Sequence, residues 1–189
     1  MSGLLESLDG DPEVDAQVDD TAFVRAMLDA EIALVRALAR AGIAPADAVD
    51  DVVRTCDALD VDPPDLGRRS VAAGSPVVPL VQDLLDVVPP AARPWVHFGA
   101  TSQDIVDTAL MLIAHRALAH VNEHLGTAAA AAAALAEGHR DTVMVARTLG
   151  QQAIPTTFGA KAAGWCAGLD QAQTRLRGID ERVLAAQLG

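Results

Sequence analysis

The chain has 189 residues, 51% of them apolar, enough to pack a core of one domain or a domain and a half. Its 26 acidic residues against 14 basic ones give a formal charge of −12, which argues against non-specific binding to nucleic acid or anionic membrane. Aromatic content is 3% with no Tyr, so few platforms exist on which bases stack.

The opening Met-Ser-Gly-Leu-Leu-Glu-Ser-Leu-Asp lacks the basic start and apolar run of a secretory leader. The longest apolar run, Ala128 to Ala136, is far shorter than the about 20 residues that span a bilayer, so a cytoplasmic location is expected. Cys56 and Cys166 form no Cys-x-x-Cys pair, and reduced, buried thiols are the expectation.

In chain order, Phe23, Met27, Ala30, Leu34, Leu38 and Ala41 recur at helical spacing, which predicts an amphipathic helix ending near Gly42. Pro45 suits the first turn of a second helix running to about Asp60, and Asp62-Pro-Pro64 interrupts before a third, shorter one. After the break at Gly74-Ser-Pro76, Val78 to Val88 reads as helix or strand; the Leu80, Leu84, Val87 spacing favours helix, closed by Pro89-Pro90. From Ser102 a helical pattern runs for roughly ten turns, with Val106, Leu110, Ile113, Ala117 and Val121 on one stripe and seven alanines from Ala128 to Ala134. Gly126 is placed to bend or weaken it midway.

Thr142 to Pro155 has no helical period and predicts an extended excursion. Thr156-Thr157 then caps a last helix running towards Leu188 and still helical at Gly189, with Gly164 and Gly168 four apart for close helix packing. The class is all-α: an N-terminal helical domain over 1–100, then 101–189 as the first, incomplete part of a long-helix bundle.

The most informative segment is Trp95-Val-His-Phe-Gly-Ala-Thr-Ser-Gln-Asp-Ile-Val-Asp-Thr108. Gly99 and Ala100 permit a tight bend, while Thr101 and Ser102 place hydroxyls at a helix start, where backbone N–H groups attract carboxylates. Thr101 and Asp104 have capping-box spacing, with Asp in place of the usual Glu or Gln. His97 titrates near neutrality and can orient a carboxylate or relay a proton; a lone His more often serves structure alone. His120-Val-Asn-Glu-His124 has the His-x-x-Glu-His spacing of some zinc peptidases, but a solvated helix face explains it, and neither a metal nor any other cofactor is expected.

Residues 97–108 resemble the first signature region of the fumarase/aspartase superfamily, and Ala146-Arg-Thr-Leu-Gly-Gln-Gln-Ala-Ile-Pro-Thr-Thr-Phe-Gly159 resembles its second. With Gln103, the doubled Gln151-Gln152 and Gly74-Ser-Pro-Val-Val-Pro-Leu80, the chain is most similar to the bacterial 3-carboxy-cis,cis-muconate cycloisomerases. The resemblance implies His97 as the catalytic candidate, and Ser75, Thr101, Ser102, Gln103, Thr148 and Gln151 as substrate-binding candidates. Arg147 offers charge for a carboxylate or for a salt bridge, and a structural salt bridge is the expectation. Most lyases of the superfamily carry a proton-transferring His after the Thr of the second region, where this chain has Leu149; that departure suits a cycloisomerase.

The implied reaction is intramolecular addition of a carboxylate oxygen to a double bond, giving carboxymuconolactone in aromatic-compound degradation. A carbanion beside a carboxylate must be stabilised on the way. The implied assembly is a homotetramer with composite active sites acting on a small polycarboxylate. The family's Gly-Ser-Ser-x-Met-Pro-x-Lys loop, which carries the base, is not in this sequence, so the 189-residue chain alone is expected to be inactive. An adenylosuccinate lyase-like enzyme releasing fumarate, and a non-catalytic oligomerising fragment, are the alternatives.

Overall fold

The computed structural model describes residues 10–189; the leader reading above, on residues 1–9, lies outside them. Two compact units form, one from residues up to 117 together with 184–189, the other from 118–183.

In the first unit, α1 (Pro12–Val18) is capped by the Asp11 carboxylate, which accepts from the N–H groups of Glu13 and Val14. Then come α2 (Asp20–Arg40), α3 (Ala46–Ala58), α4 (Pro63–Ala73) and α5 (Val77–Val87). Local chemistry sets these bounds. Asp19 caps α2, Asp62 caps α4 with prolines in its first turn, and Gly74 ends α4 in the left-handed conformation that glycine adopts without penalty. Val78 to Val87 is helical, as the spacing indicated, and Val88 is the extended residue that ends the helix. A 3-10 turn, Arg93–Trp95, leads into the bend before α6 (Ser102–Gly138).

Met27 and Val35 of α2, Val52 and Cys56 of α3, Leu66 of α4, Leu80 and Leu84 of α5, and Ile105 and Ala109 of α6 form the core. Burial pushes the Cys56 thiol up to about 12, aided by the Glu31 carboxylate, so this sulfur stays protonated and inert. Two of the stripes read from sequence are rotated. On α2 the deepest positions include Met27, Glu31 and Val35, while Leu34 and Leu38 are half-buried; on α6 Ile105 and Ala109 are buried and Leu110 is exposed. Spacing gives the period of a helix, but neighbouring helices decide which face is covered.

In the second unit, α6 continues without interruption through Gly126. The excursion is a hairpin, β1 (Val143–Thr148) and β2 (Gln151–Thr157), antiparallel, with Thr148 opposite Gln151 and a register shift between Val145 and Arg147. Pro155 is tolerated because a two-stranded ribbon leaves one side of each strand unpaired. The Thr157 hydroxyl accepts from the Ala160 N–H and caps α7 (Phe158–Arg182).

One expectation fails here. The last helix ends at Arg182, and in the 184–189 segment the Gln187 N–H donates to the Thr108 hydroxyl at 3.0 Å and the Gly189 N–H to Asp104 at 3.0 Å, bonds that a continuing helix would not make. Gly164 and Gly168 face open space. The glycine under packing constraint is Gly159, whose added Cβ would lie 2.5 Å from the Ala136 carbonyl oxygen and 2.7 Å from that of His139. Gly126 introduces no break. No helix among the described residues is long and apolar enough to cross a membrane.

Candidate functional site

The bend after the 3-10 turn carries two left-handed residues, His97 at φ +55° and Gly99 at φ +75°. Glycine adopts this region freely, but a histidine there is strained by about 1 kcal/mol or more. What holds it is Glu31, which sequence reasoning missed. The His97 backbone N–H donates to Glu31 Oε2 at 3.1 Å, and His97 Nδ1 lies 2.6 Å from Glu31 Oε1. Glu31 is 2% exposed, between Met27 and Val35 on the buried face of α2. A carboxylate at a core position of an amphipathic helix was the available signal, since buried charge requires a partner.

The Glu31 hydrogen bond raises the His97 pKa above the ordinary histidine value, against the opposing effect of burial; the Asp104 charge adds to the rise. With Nδ1 committed to Glu31, Nε2 is the ring nitrogen left for a ligand.

Just beyond, Asp104 forms its part of the capping box: its Oδ2 accepts from the Thr101 N–H at 2.8 Å. Asp104 is buried at 2% exposure, because Ile105 and Ala109 beside it enter the core. Thr101 and Gln103 are exposed, the latter donating to Asp107, and Ser102 is half-buried. A cavity of about 250 Å³ opens here, lined by Val77, Val78, Val81, Gln82, Leu85, His97 and Ser102. It brings His97 and Ser102 together. The Ser75 hydroxyl accepts from the Val77 N–H at 3.2 Å and so starts the helix that forms one wall.

In the second unit Thr148 and Gln151 face each other as the last pair before the hairpin turn, both exposed, with Arg147 opposite Gln152. The turn itself is Leu149-Gly150, with φ +45° and +74°, and Leu149 is 97% exposed. His120 and His124 lie one turn apart on α6, as their spacing requires.

Residues 11–189 match the family described as lyase, and the chain belongs to that family. It is 43% identical over its whole length to a nitrosuccinate lyase of Streptomyces davaonensis, covering 40% of that protein. To a 3-carboxy-cis,cis-muconate cycloisomerase of Bradyrhizobium diazoefficiens it is 41% identical, again over its whole length and 43% of the relative. Its fold superimposes with a TM-score of 0.94, at 36% identity, on the crystal structure of the 3-carboxy-cis,cis-muconate lactonizing enzyme from Pseudomonas putida, covering all of this chain and 44% of that one. The chain thus spans less than half the length of these relatives.

Proposed function

We propose that this chain is the N-terminal portion of a cycloisomerase that closes 3-carboxy-cis,cis-muconate to carboxymuconolactone. The observation that carries the reading is the imidazole of His97, fixed by a buried carboxylate beside Ser102 at the start of α6. That arrangement puts an imidazole, whose protonated form Glu31 favours, and a hydroxyl where a substrate carboxylate can bind. Leu149 supports the same reading, since a side chain without a proton to give cannot serve as the acid or base expected of a β-eliminating lyase at that position.

In the proposed mechanism Ser75, Thr101, Ser102 and Gln103 contribute donors from the first unit, and Thr148 and Gln151 of other subunits contribute them to a composite site. Aligning a carboxylate oxygen with an alkene carbon is chiefly a matter of orientation, for which neutral donors suffice. His97, whose protonated form the Glu31 hydrogen bond favours, stabilises the negative charge that grows beside a substrate carboxylate and is not the base. The division into a helical domain over 1–100 and a bundle domain from 101, a cytoplasmic homotetramer and composite sites belong to the same proposal. Exposed alanines along α6, among them Ala130, Ala131, Ala133 and Ala134, support close helix packing with other subunits.

A second reading has a specific observation behind it. The 43% identity to a nitrosuccinate lyase stands beside 41% to the Bradyrhizobium cycloisomerase, and elimination from a nitro-substituted succinate also passes through a carbanion beside a carboxylate. The test is to read the coding sequence past Gly189 and assay its product. Continuation into a Gly-Ser-Ser-x-Met-Pro-x-Lys loop, with loss of the muconate diene absorbance, is expected; release of nitrite from nitrosuccinate without action on carboxymuconate would transfer the assignment to the second reading.

A further inference from the structure

We propose that Glu31 is a positioning residue of this site: it fixes both the ring and the backbone of His97, so that Nε2 is presented to the neighbouring cavity as an N–H donor for a substrate carboxylate. The inference rests on the polycarboxylate reading above and adds a residue from outside both signature regions. Three observations carry it. One carboxylate makes two bonds to one residue, at 3.1 Å to the backbone N–H and 2.6 Å to Nδ1. The residue so held is non-glycine at φ +55°, a conformation that persists only where the surroundings enforce it. And His97 lines the cavity of about 250 Å³ together with Ser102 and the apolar Val77, Val81 and Leu85, a wall that strengthens any charge-assisted hydrogen bond made there.

A buried carboxylate that accepts from Nδ1–H turns Nε2 outward; on the protonated ring Nε2 also carries a proton and donates, whereas the neutral ring held this way presents Nε2 as an acceptor. The charged groups that face the ring are Glu31 from α2 and Asp104 from α6, both acidic, and both favour its protonated form. The ring bond is what turns a bend into a donor.

The experiment is heteronuclear NMR of the 189-residue chain labelled with 15N-histidine, titrated from pH 5 to 9, in the wild type, Glu31→Gln and Glu31→Asp. The expected wild-type result is a His97 ring protonated at Nδ1 throughout, titrating above the free-histidine value. Glu31→Gln is expected to weaken proton binding by at least about tenfold, with Glu31→Asp between the two. A wild-type ring that titrates at or below the free-histidine value, or one unchanged by Glu31→Gln, overturns the proposal. If Glu31→Gln does not fold, the wild-type tautomer and titration decide alone. In the enzyme from the complete reading frame, Glu31→Gln is expected to move the alkaline limb of kcat/KM to lower pH by a similar factor, and an unmoved limb overturns the positioning role. A wild-type enzyme inactive on carboxymuconate would refute the substrate reading separately, leaving the NMR result to judge Glu31.

Discussion

His97 and Glu31 stand 66 residues apart in the chain, yet a single buried carboxylate accepts from both the backbone N–H and the ring of the histidine. The contact joins the middle of α2 to the bend before α6, and it is the point where core packing and candidate chemistry meet.

Because the folded chain holds the His97 proton more tightly than the unfolded chain does, the pair's protonation-linked stability has a definite sign. It is fully present below the unfolded pKa of about 6.5 and is lost as pH rises through the raised folded value. Urea unfolding of the wild type against the neutral double variant Glu31→Gln/His97→Asn is expected to show a wild-type advantage that shrinks as pH rises above about 6.5. An advantage that grows over that range would contradict the assignment.

Gly159 and the pair Gly164 and Gly168 are expected to respond oppositely to alanine. A Cβ on Gly159 meets backbone at 2.5 to 2.7 Å, which side-chain adjustment cannot relieve, so Gly159→Ala is expected to destabilise by about 2–3 kcal/mol. At Gly164 and Gly168 the space is open within a helix, and alanine is expected to stabilise by about 0.5–1 kcal/mol at each. Thermal melts of the three variants check this ordering.

Leu149 sits in the left-handed region at the first position of a two-residue turn, where Asn is preferred. Leu149→Asn is expected to raise Tm, with a gain of about 1 kcal/mol, because the Leu side chain is almost fully exposed and loses no packing. A lowered Tm would mean that a partner chain covers the Leu side chain.

Ser102→Ala tests the cavity. In the complete enzyme it is expected to raise KM about tenfold, equivalent to about 1.4 kcal/mol, with a smaller effect on kcat. Unchanged steady-state kinetics would remove Ser102 from the substrate site.

Much of the fold is legible from residues that act locally. Asp62 with its following prolines, Gly74, and Thr157 mark helix ends by capping chemistry that needs no distant partner, and Pro155 with Gly150 excludes helix from the hairpin. What escaped the sequence depends on neighbours. The rotated faces of α2 and α6, the constraint on Gly159 and the end of α7 at Arg182 are all fixed by what packs or bonds against them. The bend at residues 97–102 was visible as a motif, since its small and polar residues are adjacent in sequence. Glu31 was not, because its significance comes from a partner 66 residues away.

The most direct test is a comparison of kcat/KM for 3-carboxy-cis,cis-muconate and nitrosuccinate, using the enzyme encoded by the complete reading frame. A clear preference for carboxymuconate, with carboxymuconolactone as product, is expected. Efficient nitrite release with no lactone formed would contradict the cycloisomerase assignment.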